Sequence, residues 1–295
     1  MLDRLSTEQR NERTRELDTL PIRGVLELMQ EEDAKVPQAI KKKLPEIERA
    51  VEGAIRSFRQ GGRLIYAGAG TSGRMGILDA VECVPTFGTG PDMVQGVIAG
   101  GETAIRLAVE GAEDSLELGR GDMERLAVNA ADTVIGIAAS GRTPYVIGAL
   151  EAAREAGAYT IAFSCNKESE IARHADHAIE IETGSEILTG STRLKAGTAQ
   201  KLVLNMISTA SMIGIGKVYS NLMVDVRPTN VKLEARACAM IAELAGCDED
   251  TAARYYEASG HRVKHAVVML LLGLSAEEAD RKLEESGGFI RRALQ

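Results

Sequence analysis

Short apolar runs alternate with stretches of helical periodicity through the middle of the chain. Five runs have the length and composition of buried strands, at 63–67, 93–99, 133–138, 159–164 and 178–182. Helical periodicity follows the first three, running to about Val84, from about Glu102 to Leu118, and from Pro144 to about Glu155. Strands that alternate with helices predict right-handed crossovers and therefore an α/β fold, a doubly wound parallel five-stranded sheet flanked by helices on both faces.

Outside this region the pattern is helical, apart from the first twenty residues. Residues 1–20 are polar and predict an arm, while 23–34 and 36–60 predict helices. Lys195–Met223 predicts one long buried helix, because apolar and small residues occupy most of its sides. From Pro228 onward, short helical segments separated by glycines predict a small all-helical C-terminal domain.

These patterns divide the chain into three segments. The arm and the first helices occupy 1–60, and the sheet with the long helix occupies 61–227. The small helical domain occupies 228–295. The middle segment contains the glycine-rich loops that indicate a ligand-binding site.

Composition narrows the classes of partner. The 295 residues carry 35 Lys plus Arg against 43 Asp plus Glu, a formal net charge of −8, with 3% aromatic residues and no Trp. Binders of single-stranded nucleic acid need aromatic platforms in a basic groove, so no nucleic acid is expected. No run approaches the ~18 apolar residues of a membrane span, and residues 1–20 lack the apolar run of a signal peptide. No membrane partner is expected.

Cysteines and histidines show no metal-binding pattern. The four cysteines form no CxxC pair, which predicts reduced thiols and a cytoplasmic protein. His174 and His177 are expected at the surface. His261 and His265 would share a helix face at i and i+4, but no third ligand accompanies them, so no metal and no other cofactor is predicted.

A glycine-rich loop follows the first predicted strand. Gly68, Gly70 and Gly73 match GxGxxG between a strand and a helix, as in dinucleotide-binding folds. A nicotinamide site also needs an acidic residue ~20 positions further on, and here the second strand ends in glycines before a late Glu102. The alternative is a single phosphate held by backbone N–H groups and by the hydroxyls of Thr71 and Ser72.

A second loop of this type, Ser140-Gly141-Arg142-Thr143, follows the third strand. Loops after parallel strands meet at the same edge of a sheet, so the pair predicts one small phosphorylated ligand in the crevice between them. The alternative is that these hydroxyls only cap helices. A third polar segment, Thr183–Lys195, follows the fifth strand and would close the same site.

Five segments of the sequence resemble the N-acetylmuramic acid 6-phosphate etherases, which are members of the sugar isomerase (SIS) domain superfamily. The segments are AGAGTSGRMGILDAVECVPTFG (67–88), IAASGRTPYVIGAL (137–150), EILTGSTRLKAGTAQKLVLNMIST (186–209), LSTEQRNERT (5–14) and RVKHAVVMLLLGLS (262–275). The resemblance covers nearly the whole chain. One departure is Val84, where some members have proline.

The resemblance implies a SIS-type fold and an activity. The activity is cleavage of the D-lactyl ether of N-acetylmuramic acid 6-phosphate to N-acetylglucosamine 6-phosphate and D-lactate. The enzyme would be a carbon–oxygen lyase of amino-sugar catabolism and peptidoglycan recycling, without a cofactor. SIS proteins commonly dimerise through long helices, so the predicted long helix implies a homodimer.

The same resemblance implies the site residues. Two glutamates are expected to be catalytic, Glu82 and Glu113. The expected phosphate-binding residues are Gly70, Thr71, Ser72, Ser140, Gly141, Arg142 and Thr143. Glu186, Ser191 and Lys195 are expected to contact the sugar or to belong to a neighbouring subunit's site.

Helical geometry gives separate reasons to consider both glutamates. Met75, Leu78 and Glu82 lie on one stripe of the predicted helix, and burial of that stripe would favour a neutral carboxyl, as a general acid requires. Glu113 lies off the polar stripe formed by Glu110, Asp114 and Glu117, at the apolar border, as expected of a base that faces a site. The alternative is that both are boundary glutamates without a chemical role.

Two other functions remain open at this stage. The glucokinase regulatory protein resembles the same family, so a non-catalytic sugar-phosphate-binding regulator is one alternative. A sugar-phosphate isomerase is the other, since it also needs a base at C2. Paired acid and base residues distinguish the lyase from both.

Overall fold

The computed structural model describes residues 5–226 and 231–295. One parallel sheet has the strand order β2-β1-β3-β4-β5. Its strands are β1 (Leu64–Gly68), β2 (Val94–Ile98), β3 (Thr133–Ala138), β4 (Tyr159–Ser164) and β5 (His177–Glu180). β1 and β3 are buried along their whole length, as expected of central strands covered by helices. The predicted five-stranded doubly wound sheet is confirmed.

Helices flank and follow this sheet. Before it lie α1 (Ile22–Asp33), α2 (Val36–Lys41) and α3 (Leu44–Arg59). Between and after its strands lie α4 (Gly70–Phe87), α5 (Gly101–Arg106), α6 (Leu116–Arg125), α7 (Pro144–Glu155) and α8 (Lys195–Gly214). The C-terminal part contains α9 (Val231–Ala245), α10 (Glu249–Ala258), α11 (Val263–Leu272), α12 (Ala276–Glu285) and α13 (Ile290–Ala293). The predicted all-helical C-terminal region is confirmed.

The helix predicted from Glu102 to Leu118 is wrong. α5 ends at Arg106, and Leu107 is already extended. Gly111 adopts a φ of +73°, and a short 3₁₀ turn, Ala112–Asp114, precedes α6. The left-handed conformation at Gly111 leads into this turn, and the Ser115 hydroxyl, which accepts from the Leu118 N–H at 3.2 Å, starts α6. Glu113 therefore lies in a turn, and the helical stripe argued for it does not exist.

Other predicted helices end sooner than expected. The 36–60 pattern is two helices, α2 and α3, because Pro45 at the start of α3 suits a first turn and not a helix interior. α8 ends at Gly214 and not at Met223, and Gly216 follows with a φ of +80°. His261 precedes α11 with a φ of +61°, so it does not share a helix face with His265.

Two compact units divide the chain. The first comprises Met1–Val81 and Pro91–Ser208, and the second comprises Glu82–Gly90 and Thr209–Gln295. Each has its own apolar core, one built around β1, β3 and α7, the other around α9 and α11. The division at 1–60, 61–227 and 228–295 stays a prediction, and its boundary at 227/228 lies outside the described residues. Among the residues described, no helix has both the length and the apolar character needed to cross a membrane.

Candidate active site

The strand order places a switch point between β1 and β3. The crossover after β1 leads to β2 on one side, and the crossover after β3 leads to β4 on the other. At such a point the two loops diverge and leave a crevice beyond the carboxyl ends of the strands. The loops that begin at Ala69 and Ala139 both start there, so the topology brings the two predicted phosphate loops to one edge of the sheet.

The first loop enters α4 with almost no space between helix and strand. A Cβ on Gly73 would lie 2.6 Å from Ile98 Cγ1 and 2.8 Å from the carbonyl oxygen of Gly68. Gly70 adopts a φ of +52° and is exposed at the turn. Glycine at these two positions lets the first turn of α4, with its free N–H groups, begin directly at the end of β1.

The Ser72 hydroxyl does not cap α4. It is 6% exposed, and its oxygen accepts a hydrogen bond of 2.9 Å from Nε2 of Gln200, a fully buried residue of α8. Thr71 is half-buried, with its methyl group close to Gly197 of α8. α8 thus packs against the first loop through Gln200 and Gly197.

The second loop is fixed from β4. Gly141 has a φ of +75°, and a Cβ there would lie 2.4 Å from Ser169 Cβ. Buried Asn166 donates through Nδ2 to the carbonyl oxygens of Ala139 and Ser140, at 3.1 and 3.4 Å. Thr143 stands at the N-cap of α7 without a side-chain capping bond. The helix-capping alternative therefore does not describe Thr143.

Glu113 lines two cavities beside these loops. The first, of about 350 Å³, is also lined by Leu5, Asp114, Ser140, Arg142, Thr143 and Pro144. The second, of about 260 Å³, is lined by Glu113, Gly70, Arg74 and residues of the 104–111 segment. One carboxylate thus borders residues of both predicted phosphate loops.

Glu82 has different surroundings. It is exposed, and Leu78 and Val81 are 46% and 60% exposed, so the predicted burial of the Met75–Leu78–Glu82 stripe is wrong. α4 packs through its small residues instead, because a Cβ on Gly76 would lie only 2.7 Å from Tyr66 Cβ. The helix approaches β1 too closely for the larger side chains to turn inward. Glu82 belongs to the second compact unit.

The segment after β5 makes buried contacts of its own. The Glu186 carboxylate is fully buried and accepts from the N–H groups of Lys195 and Ala196, both at 2.9 Å, so it caps α8. Burial raises the pKa of Glu186, although these N–H bonds oppose the rise. Lys195 Nζ donates to Glu32 Oε2 at 2.8 Å. Glu186, half-buried Ser191 and Lys195 do not line either cavity, and their contact with sugar stays a prediction.

Comparison with known proteins then decides the family. Two family models match, the glucokinase regulatory protein N-terminal SIS domain over residues 46–154 and the SIS domain over residues 117–210. A protein of Exiguobacterium sp. named N-acetylmuramic acid 6-phosphate etherase is 63% identical over 294 residues, and one of Geobacillus sp. with the same name is 61% identical over 295. Both alignments cover 100% of this chain and of the relative. The chain belongs to the N-acetylmuramic acid 6-phosphate etherase family.

A solved structure agrees with the fold of this etherase-family chain. A phosphoheptose isomerase from Neisseria gonorrhoeae has a TM-score of 0.50 and 17% identity, over 65% of this chain and 98% of that one. At that identity the likeness supports the SIS-type architecture alone. The etherase relatives, in contrast, match from end to end.

Sequence reasoning missed two residues that contact the candidate loops, Gln200 and Asn166. Gln200 interrupts the apolar face of a predicted buried helix, and a polar side chain there was a usable indication. Asn166 follows the fourth strand, the neighbour of the strand that ends in the second loop. Both residues are distant in sequence from the loop that they contact, and only the fold brings them to it.

Proposed function

We propose that this protein is a carbon–oxygen lyase that cleaves the D-lactyl ether of N-acetylmuramic acid 6-phosphate. The products are N-acetylglucosamine 6-phosphate and D-lactate, as in amino-sugar catabolism and peptidoglycan recycling. The observation that carries the proposal is the position of Glu113, which lines cavities bordered by both phosphate loops in a chain of the etherase family. We also propose a cytoplasmic location, where the four free thiols stay reduced.

The phosphate group is held by local contacts. A protein with a net charge of −8 does not attract a phosphorylated sugar through its overall charge. Backbone N–H groups at the start of α4 and in the loop before α7, the loop hydroxyls and one guanidinium supply the attraction instead. These residues are Gly70, Thr71, Ser72, Ser140, Gly141, Arg142 and Thr143.

Glu113 serves as the base at C2. The C2 hydrogen is acidic only when C1 is an aldehyde, so the open-chain sugar reacts. Glu113 removes that proton, the C2–H electrons form the C2=C3 bond, and the C3–O bond to lactate breaks. A positioned base of this kind contributes ~10²–10⁴ in rate.

Glu82 serves as the acid. It protonates the departing lactate oxygen, because an unprotonated alkoxide leaves poorly. The same carboxylate then takes a proton from the water that adds at C3, while Glu113 returns a proton to C2. The cycle moves protons and water only, so it requires no redox cofactor.

We further propose that the enzyme works as a homodimer. Leu78 and Val81 stand exposed beside Glu82, and Leu107 and Leu116 stand exposed near Glu113. Contact with a second copy would cover these apolar side chains and exclude water from both carboxyl groups. Size-exclusion chromatography with light scattering tests this state, and a monomer at micromolar concentration contradicts it.

Two measurements test the chemistry. Purified protein incubated with N-acetylmuramic acid 6-phosphate should release D-lactate, and a well-folded protein that releases none contradicts the proposed function. In D₂O, Glu113→Gln should abolish exchange of the C2 hydrogen, whereas Glu82→Gln should keep exchange and lose lactate release. Glu117→Gln, an exposed glutamate of α6, is the matched control and should keep both activities. If Glu82→Gln abolished exchange of the C2 hydrogen and Glu113→Gln kept it, Glu82 would be the base and Glu113 the acid.

A further inference from the structure

Gln200 is a buried amide with an unusual hydrogen-bond arrangement. It is fully buried in α8, and its Nε2 donates to Ser72 Oγ at 2.9 Å. Within residues 5–226 and 231–295, its Oε1 is buried and has no hydrogen-bond partner. A buried amide that is only half satisfied costs stability, so its presence requires a reason other than packing.

The contact fixes the direction of the Ser72 hydroxyl. An amide nitrogen can only donate, so Ser72 Oγ must accept from Gln200. The hydroxyl proton of Ser72 then points away from Gln200 and remains available for another acceptor. A hydroxyl that accepts one hydrogen bond also becomes a stronger donor in the next.

That direction matches the chemistry of the first loop. Ser72 lies in the first turn of α4, directly after Gly70 and Thr71, where the free N–H groups of the helix favour an anion. The oxygens of a phosphate dianion accept hydrogen bonds and donate none. A serine that presented its lone pairs to the phosphate would repel it, whereas a serine that presents its proton binds it.

Two features fix the position of Gln200, the start of α8 and the close approach of α8 to the first loop. The Glu186 carboxylate caps α8 one turn before Gln200 and fixes where the helix begins. Gly197 lets α8 approach the loop, because even a Cβ there would lie 3.3 Å from Thr71 Cγ2. The amide therefore reaches Ser72 from a rigid element and not from a mobile loop.

We infer that Gln200 is a positioning residue for phosphate recognition: it holds the Ser72 hydroxyl as a donor directed at the phosphate group of the substrate. The inference rests on the proposed function for the identity of the sugar phosphate. Gln200 itself does not touch the reacting atoms.

The first experiment is a double-mutant cycle on binding. Calorimetry measures the Kd of N-acetylglucosamine 6-phosphate, which needs no turnover and so separates this inference from the lyase activity. Gln200→Met keeps the size of the side chain and removes the donor, and it should raise Kd about five- to tenfold, the loss typical of one hydrogen bond. In a Ser72→Ala background it should raise Kd by less than about twofold, because the hydroxyl it orients is gone.

Asn205→Leu is the matched control. Asn205 is another amide of α8, and it donates to Asp79 and not to the loop. The control should leave Kd unchanged while it lowers stability. An equal increase in Kd from Gln200→Met in both backgrounds, or no increase in a well-folded Gln200→Met protein, overturns the inference.

A second variant reverses the polarity of the contact. In Gln200→Glu, an ionised carboxylate only accepts, so it takes the Ser72 proton away from the ligand, whereas a protonated carboxyl donates as the amide does. The ratio of variant to wild-type Kd should therefore fall as pH is lowered from about 8 to about 5. A ratio of Kd values that does not change with pH contradicts the inference.

Discussion

Among the residues that the structure describes, each compact unit contains one buried lysine paired to a carboxylate, and the two pairs differ in what surrounds them. In the first unit, Lys195 Nζ lies 2.8 Å from Glu32 Oε2, and both side chains are 3% exposed. In the second unit, Lys264 Nζ lies 2.8 Å from Asp225 Oδ2, and the side chains are 8% and 18% exposed. The distances are equal, so any difference between the pairs comes from burial and from the neighbouring charges.

The Glu32 carboxylate forms ion pairs with several basic side chains. Burial alone would raise the pKa of Glu32, but hydrogen bonds and charges from Lys195 and Lys35 lower it to about 2. Arg13 also contacts this carboxylate. The cluster joins the N-terminal segment, α1 and the start of α8. Lys195, in turn, has Glu32 as its carboxylate partner.

Asp225 is shared at the edge of a cavity. Lys217 contacts the same Asp225 oxygen at 3.1 Å, and all three side chains line a cavity of about 700 Å³ in the second unit. Burial lowers the pKa of Lys264, and Asp225 only partly opposes this. The distance within an ion pair therefore does not determine how much the pair contributes to stability. That contribution depends on whether each ion has a substitute partner or access to water.

The largest expected effect is in the first unit. Glu32→Gln removes the carboxylate that contacts the buried Lys195 ammonium, so it should lower the free energy of unfolding by about 3–5 kcal/mol. Urea denaturation at pH 7 measures the loss. Glu31→Gln is the control, since its side chain is 53% exposed, and it should change stability by less than about 1 kcal/mol. Equal losses in the two variants would show that burial does not distinguish Glu32.

The same pair should make stability depend on acid pH. The folded-state pKa of Glu32 lies below its ordinary value of 4.5, at about 2. A depressed carboxyl pKa stabilises the fold above the unfolded value, and the stabilisation is lost as pH falls through 4.5 toward 2. The difference in unfolding free energy between wild type and Glu32→Gln should therefore shrink by about 2–3 kcal/mol over that window. Urea titrations at pH 7 and at the lowest pH where both proteins still fold measure it, and a constant difference contradicts the assignment.

Sequence patterns predicted the sheet, but they did not predict the ion pairs around Glu32. β3, α7 and β4 have the bounds that periodicity predicts, because these elements are buried and regular along their length. The Glu32–Lys195 contact joins residues 163 positions apart, and the Gln200–Ser72 contact joins residues 128 apart. No local pattern encodes such a pair.

Local reasoning also failed where close packing decides the outcome. The face of α4 that contacts β1 is chosen by Gly76, which fits where no larger residue would, so Leu78 and Glu82 turn outward. The turn at Glu113 depends on the φ of Gly111. The candidate site residues of the two phosphate loops were predictable because parallel topology alone brings their strand ends together.

An intermediate effect is expected in the second unit. Asp225→Asn removes the carboxylate from Lys217 and Lys264, but both ammonium groups line a cavity, and Lys217 is 22% exposed. Water can therefore replace part of the lost interaction, and the variant should lose about 1–2 kcal/mol. Urea denaturation compares it with Glu32→Gln. A loss as large as that of Glu32→Gln would contradict the difference drawn between the two pairs.

The smallest effect is expected from Lys264→Met. Asp225 keeps Lys217 as its partner, and removal of an ammonium whose burial already lowers its pKa relieves a desolvation cost. The methionine fills nearly the same volume, so stability should change by less than about 1 kcal/mol, in either direction. Because a lowered lysine pKa favours the neutral form in the folded state, wild type should gain stability relative to the variant as pH rises toward 10. Urea titrations at pH 7 and pH 9.5 measure both expectations. A large loss at pH 7 would mean that Lys217 does not replace Lys264 as the partner of Asp225.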